Sequence, residues 1–503
     1  MEKVAVIQLD AMALRLLILE VDGIYFRPVD EIVENLKLGK DISQNNLISV
    51  FNVTSTLKIL KMFRKLCDTN GILKSYAFAS PTFKNAKNEK SFFEEIYNNT
   101  GFNFQLLNDD EETKSIYSGI INNIECPKGV ILHIDWTFSA IIVYNRRNIL
   151  KYIKIDEGCL SLAERFENTE FSNSQKNKMM KEYILSLLKQ KDFSADIDPE
   201  CTFIGSGVSF LNLGKLARKA THYPLEIENN YTVTKEVFDN VYNFVEGLDV
   251  DKTMKLKGIT ADRADTLASG MCIASAMFEY LNVAKVCISS YGMREGIIYN
   301  YIVPNILEKP LSEMMNYSLD NIRLFYDNKS LSDNHLYNLT IMLFKQIKVL
   351  HKLPRMYIKP LKIVASLCES GKRINFEQNE KVSFDVILNS PISGASHKEI
   401  LIAAFASLCQ NPDNLNLADW IKYKDLLDEN DLDAVRKIGM IIKLATVLNV
   451  SKNKVVQDVN CDILGDSVIL KTIVDGDAQF EILLANKLAP AFKKVFKKNL
   501  QVI

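Results

Sequence analysis

Two stretches of this chain, one opening at Val4 and the other at Gly129, run through the same order of elements: an apolar strand, a polar turn, a second apolar strand, another turn and a third strand. In the first, Val4-Ala5-Val6-Ile7-Gln8-Leu9 leads to Leu14–Glu20, then Asp22-Gly23, then Ile24-Tyr25-Phe26. In the second, Val130–Asp135 leads to Ala140–Tyr144, then Asn145-Arg146-Arg147-Asn148, then Ile149–Ile155. Asp-Gly between apolar runs is a hairpin signal. The echo lies in pattern rather than residue identity, and it predicts an internal structural duplication. Each copy alternates onward between strands and helices, which argues for α/β halves. The first continues with a helix over 47–68 whose apolar face carries Phe51, Leu57, Leu60, Phe63 and Leu66. A strand at 76–79, a helix near 90–99, a strand at 102–107 and a helix from Asp109 follow. The second continues with helices near 160–190, a strand at Thr202-Phe203-Ile204 ending in Gly205-Ser206-Gly207, and helices up to about 300.

After Pro304 and Pro310 the texture becomes amphipathic helix until about residue 450, and from Lys454 it reverts to strand (467–474), helix (484–496) and strand (500–503). The expected domains are 1–123, 124–303, an all-α domain at 304–453 and a small α/β domain at 454–503. Lys and Arg total 61 against 62 Asp and Glu. That balance gives no broad field for duplex nucleic acid or an anionic membrane, so any polyanion must be met in a local groove. The start MEKVAVIQLD lacks an apolar leader and no run is long enough to span a bilayer, so a cytoplasmic protein is expected. Nine scattered cysteines without a CxxC pair read as reduced core thiols, and five isolated histidines exclude compact zinc signatures.

Several collinear segments resemble one family. Arg263-Ala264-Asp265 and Ser289-Ser290-Tyr291-Gly292-Met293-Arg294-Glu295-Gly296 are similar to the RAD and S-x-x-G-x-R-E-G patterns of the exopolyphosphatase and guanosine pentaphosphate phosphohydrolase (Ppx/GppA) family. Gly158-Cys159-Leu160 through Phe166 resembles its GC..L.E.F segment, and Asn85-Ala86-Lys87-Asn88 the end of its ATSALREAKN segment. The resemblance implies two duplicated actin-like (ribonuclease H-like) ATPase-fold halves, an HD-like helical domain and a small α/β tail. It also implies hydrolysis of a terminal phosphoanhydride of polyphosphate or guanosine pentaphosphate with Mg²⁺, and a homodimer formed through the helical domain.

Residue by residue, the resemblance makes Glu112 the base and Arg15 and Lys84 the phosphate cations. Ser206 and Gly207 form the remnant of a third phosphate loop, and Asp10 is the metal ligand. Such a reaction needs anion-holding N–H groups, cations and a carboxylate that orients water. The chain departs from the family where phosphate would be held. Ala11-Met12-Ala13-Leu14 stands in place of the glycine and small polar residues of DLGSNSxR. His133–Ala140 stands against DIGGGSTE, with Ala140 in place of the acid. The HD pair is Cys368-Glu369, with His335 alone matching the first histidine, so no working HD metal site is expected. These departures predict impaired or lost phosphatase chemistry. The alternatives are a pseudoenzyme that binds a nucleotide, polyphosphate or a protein partner, and a structural partner subunit. Trp136 and Phe138 are either fillers of a collapsed pocket or a stacking surface. Acidic capping alone would explain Glu112, pairing with Asp10 or Glu20 would explain Arg15, and salt bridges would explain Arg263, Asp265, Arg294 and Glu295.

Overall fold

In the computed structural model all residues are described except 168–170, 192, 194–196, 199–200, 257, 304–309 and 327–333, so the change of texture expected at Pro304 lies outside the described residues. The chain forms two compact units, Met1–Ser312 and Glu313–Ile503.

The first unit holds two mixed sheets. One is built from β1 (Glu2–Leu9), β2 (Ala13–Asp22), β3 (Tyr25–Asn35), β4 (Lys74–Ala79) and β5 (Phe104–Leu106) in the order β3-β2-β1-β4-β5. The other is built from β6 (Lys128–Ile134), β7 (Ser139–Asn145), β8 (Asn148–Ile155), β9 (Thr202–Ser206), β10 (Tyr231–Thr234) and β11 (Lys285–Ile288). Its order, β8-β7-β6-β9-β11-β10, repeats the first with one added strand. Pairing sense repeats as well: two antiparallel hairpins, then parallel pairs β1/β4 and β6/β9, then β4/β5 and β9/β11. The expected duplication is therefore present in topology.

Helices α1 (Leu38–Asn45), α2 (Val50–Thr69), α3 (Glu89–Thr100), α4 (Asp109–Ile121), α5 (Cys159–Arg165), α6 (Asn173–Gln190) and α7 (Val208–Ala220) connect these strands, with further short helices before and after β11. Five elements differ from the sequence reading. Strand β3 reaches Asn35 because a bulge opposite Ile18/Leu19 lets Pro28 sit in an edge strand without donating to the ladder. Helix α1 was unassigned, and Phe51 of α2 points to solvent while Leu60 and Phe63 carry the burial. The region read as helices up to 300 contains β10 and β11, each only four residues long, too short to show a period against the flanking helices.

The turn at Asn145-Arg146-Arg147-Asn148 takes positive φ at both arginines. Arg147 compensates by donating to the carbonyls of Ile121 and Leu311. α4 is held against the short helix Met293–Ile297 that follows β11 by close glycine contacts. A Cβ on Gly119 would lie 1.9 Å from the Gly292 carbonyl oxygen, and one on Gly296 would lie 1.7 Å from that of Ser115. The glycines of the SSYGMREG segment thus serve helix packing. Arg294 bridges Glu31 and Glu295, and Glu295 accepts from the Gly292 N–H, so this pair is structural.

Among its described residues the second unit is helical over Met314–Tyr326 and again between His335 and Leu448, closed by the sheet β12 (Val456–Leu464), β13 (Ser467–Val474) and β14 (Asn499–Val502) with two short helices before the last strand. β12 was absent from the sequence reading. Within this unit Cys368 is buried, and Glu369 is paired with Lys372 and Lys452. No helix among the described residues is long and apolar enough to cross a membrane.

Candidate functional site

The two duplicated hairpins put two aspartates at equivalent turns. The Asp10 N–H closes on the Ala13 carbonyl and the Asp135 N–H on the Phe138 carbonyl, each at 3.0 Å. Asp135, rather than His133, is therefore the counterpart of the leading aspartate in DIGGGSTE. A two-residue slip leaves a strand's faces unchanged, so alternation alone cannot detect it. Counted from these aspartates, Arg15 and Ala140 each come two residues earlier than the arginine and the acid of the two family patterns, so both phosphate-holding turns are shortened by two residues.

The shortened turns satisfy themselves. Asp10 Oδ1 accepts the N–H groups of Met12 (2.8 Å) and Ala13 (2.7 Å), and Asp10 Oδ2 lies 3.5 Å from Arg15 Nε. The Ala11 and Met12 carbonyls accept from the backbone of Leu36, Lys37 and Gly39. Asp135 Oδ1 takes the Trp136 N–H, while Cys159 and Leu160 donate to the Asp135 and Trp136 carbonyls. Gly158 permits that approach, because a Cβ there would fall 2.4 Å from the Asp135 oxygen. Ala11, Met12 and Ala13 then belong to one buried apolar cluster with Trp136, so the ground where the two loops converge is filled. Trp136, 5 % exposed, is a filler in this cluster, while Phe138, 4 % exposed, packs in a separate apolar cluster with Ile131 and Ile142.

Beyond this filled floor a cavity of about 530 Å³ remains between the halves. Thr82, Lys84 and Asn85 line it from the first half and Thr137, Phe138 and Lys154 from the second. The Thr82 and Thr137 hydroxyls meet across it at 3.1 Å. Lys154 was not singled out from the sequence. On β8 it stands directly opposite Ala140 of β7, which in turn faces His133 of β6, so the three form one row across the sheet. Its ammonium lies 2.9 Å from Glu112 Oε2, 2.6 Å from Asp109 Oδ1 and 4.2 Å from the centre of the Phe138 ring.

Glu112 is placed by α4, whose Asn108 cap and Glu111 form a capping box, and its side chain is 1 % exposed. Burial pushes its carboxyl up to about 7 against the pull of Lys154. Burial acts to lower Lys154, but Glu112 and Asp109 outweigh it and raise the ammonium. Burial raises Asp10, Arg15 draws it back, and neighbouring Asp135 adds to the rise. Burial and then Lys154 lower His133 to about 3, so its imidazole is neutral.

The structure thus gathers Asp10, Arg15 and Glu112 into one electrostatic network, joined by Asp135 and Lys154, with Lys84 at the cavity wall. Arg15 pairs with Asp10, while Glu20 is taken by Arg27. Ser206 is fully buried and donates to the Tyr291 carbonyl at 3.1 Å, with its oxygen 3.3 Å from His133 Nδ1. Gly207, at φ 89°, lies so close to β6 that a Cβ would be 2.1 Å from the Ile134 oxygen. It brings α7 onto the sheet.

The Mg²⁺ that the resemblance implies does not fit these residues as they are held. A hard dication needs several free oxygen donors converging. Asp10 spends its oxygens on two N–H groups and Arg15, Glu112 faces an ammonium, and Ala140 offers none. No group of three or more His, Cys, Asp or Glu able to hold a metal occurs among the described residues.

The description "Ppx/GppA phosphatase family" matches residues 17–303. A guanosine-5'-triphosphate,3'-diphosphate pyrophosphatase of Pseudoalteromonas translucida is 23 % identical over 413 residues, which cover 78 % of this chain and 78 % of that protein. A bifunctional 3-dehydroquinate synthase/phosphatase of Fusobacterium nucleatum is 22 % identical over 58 % of this chain and 46 % of its own length. Among solved structures, an exopolyphosphatase from Cytophaga hutchinsonii superposes with a TM-score of 0.55 at 17 % identity, over 59 % of this chain and 97 % of that one. The Aquifex aeolicus member of the Ppx/GppA family gives 0.50 at 19 % identity, over 59 % and 96 %. These likenesses carry the fold of the first unit. With a match over more than half its length, the chain belongs to the Ppx/GppA phosphatase family.

Proposed function

We propose that this protein binds a condensed phosphate in the cleft between its two halves and that its hydrolysis of a terminal phosphoanhydride is impaired or lost. The observation that carries this reading is the apolar cluster joining Ala11, Met12 and Ala13 to Trp136. It fills the ground where a phosphate chain would meet two sets of backbone donors. Loss of a single oxyanion donor costs about 10²–10³ in rate, and here two loops have lost theirs. Binding draws support from the outer cavity, where Lys84 and Lys154 offer cations, beside the carboxylates of Asp109 and Asp156, and Thr82 and Thr137 offer hydroxyls. The substrate class, polyphosphate or guanosine pentaphosphate, comes from the family, as does a homodimer formed through the helical unit.

The test is phosphate release from polyphosphate and from guanosine pentaphosphate, with and without Mg²⁺, beside an active exopolyphosphatase of the family. The expected rate is lower by roughly 10³ or more. A rate equal to that of the active enzyme, abolished by Glu112→Gln, would overturn the reading. Calorimetric titration with tripolyphosphate checks the binding half separately.

A further inference from the structure

Three observations converge on Lys154. It lies opposite Ala140, the position where the family pattern carries an acid and this chain offers only a buried methyl group. Its ammonium reaches Glu112 and Asp109 and rests over the Phe138 ring. It also lines the cavity that Lys84 lines, so its charge borders the space a ligand would enter. A site prepared for a divalent ion would need several unpaired carboxylate oxygens converging on the cavity, whereas of the two carboxylates that line it Asp109 is paired with Lys154 and Asp156 stands alone among the described residues.

We infer that Lys154 is the built-in counter-cation of this cleft, standing where a divalent ion would otherwise be held, and that the cleft takes condensed phosphate as the free, metal-uncomplexed anion. The inference rests on the proposed binding function and specifies the ionic form of its ligand. A fixed ammonium is a point charge with rotatable donors. With Glu112 and Asp109 on one side it can turn a remaining N–H toward a phosphoryl oxygen on the other. Lys154 is thus a binding residue, and Ala140 opposite it carries no acid.

The experiment is calorimetric titration of the full chain with inorganic tripolyphosphate, in excess EDTA and again in excess Mg²⁺, together with titration of Mg²⁺ alone. Expected are equal or tighter binding in EDTA and no saturable heat from Mg²⁺ alone. Lys154→Met is expected to lose affinity about tenfold or more, the usual worth of a charge-assisted hydrogen bond, and Lys154→Arg to retain most of it. Circular dichroism checks the fold of both variants. Should Lys154→Met not fold, the two wild-type titrations decide alone. Binding that requires Mg²⁺ would overturn this inference and leave the proposed function standing. Wild-type affinity in folded Lys154→Met would overturn it as well. No binding in either buffer would overturn the binding function, and this inference with it.

Discussion

Asp10 and Asp135 occupy the same place in the two copies of the duplicated hairpin, and each turns its carboxylate back onto the backbone N–H groups of its own loop. In this fold the loops after the first strand of each half are where an anion would be gripped. Here each carboxylate is bonded to its own loop and buried, which completes the turn. Both aspartates are shared with the family patterns, so the departure lies in Ala11-Met12-Ala13 and Trp136-Thr137-Phe138, the residues that follow them.

Asp10→Ala removes an acceptor from two buried N–H groups and leaves Arg15 without its carboxylate. The expected cost is about 2–4 kcal/mol, read as a lowered denaturation midpoint, because unsatisfied buried donors lose their solvation without replacement. Asp10→Asn keeps one oxygen acceptor and is expected to cost less than half as much.

Gly207→Ala should be much worse than Gly23→Ala, although both glycines have positive φ. At Gly23 nothing lies within 4 Å of the added carbon, so only backbone strain is paid, about 1–2 kcal/mol. At Gly207 the same carbon meets the Ile134 oxygen at 2.1 Å, and β6 and α7 must separate. Thermal melts of the two variants side by side are expected to differ by several degrees.

The raised carboxyl of Glu112 gives stability a pH dependence with a definite sign. The folded protein holds this proton up to about 7, whereas the unfolded chain releases it near the ordinary glutamate value of 4.5. The stability this group contributes is complete below 4.5 and is lost as pH rises through about 7. Glu112→Gln removes the titration, so the melting temperature of the variant is expected to rise relative to wild type across that window. The full excursion is worth at most about 3 kcal/mol. Parallel pH dependence in the two proteins would contradict it.

Thiol labelling of the native protein should reach Cys461 and leave the other eight cysteines untouched. Burial lifts Cys159, Cys272, Cys287, Cys368 and Cys409 to about 12, so little thiolate forms and no reagent has access. All nine should react in denaturant, and fast native labelling of Cys368 would place the second unit's core differently.

Much of the fold was legible because strand alternation and hairpin turns are local signals. The repeated order from Val4 and from Gly129 announced the two sheets, and the RAD, SSYGMREG and GC..L.E.F segments announced the family. Elements without a local signature escaped: the four-residue strands β10 and β11, and β12 beside a predicted strand. The site was harder. Glu112, Arg15 and Asp10 could be named from the resemblance, yet whether they face a ligand depended on what lay between them. Trp136, readable as core filler or as stacking surface, lies buried in one apolar cluster with Met12, and only the folded chain shows that.

Lys154 marks the division between what the chain spells out and what folding decides. The amino-acid order alone announced the duplication, the replaced loop residues and the missing acid at Ala140, while the two-residue shortening of the loops emerged from the turn hydrogen bonds. Counting back from the turn at Asn145/Asn148 pairs Ala140 with Ile153 and turns Lys154 to the other face of the sheet. In the structure a bulge between Val143 and Tyr144 shifts the register by one residue, so Lys154 pairs with Ala140 instead. A one-residue shift reverses the face of every side chain beyond it. That single irregularity brings an ammonium beside the Glu112 carboxylate, and only tertiary packing of α4 over the sheet sets the distance between them.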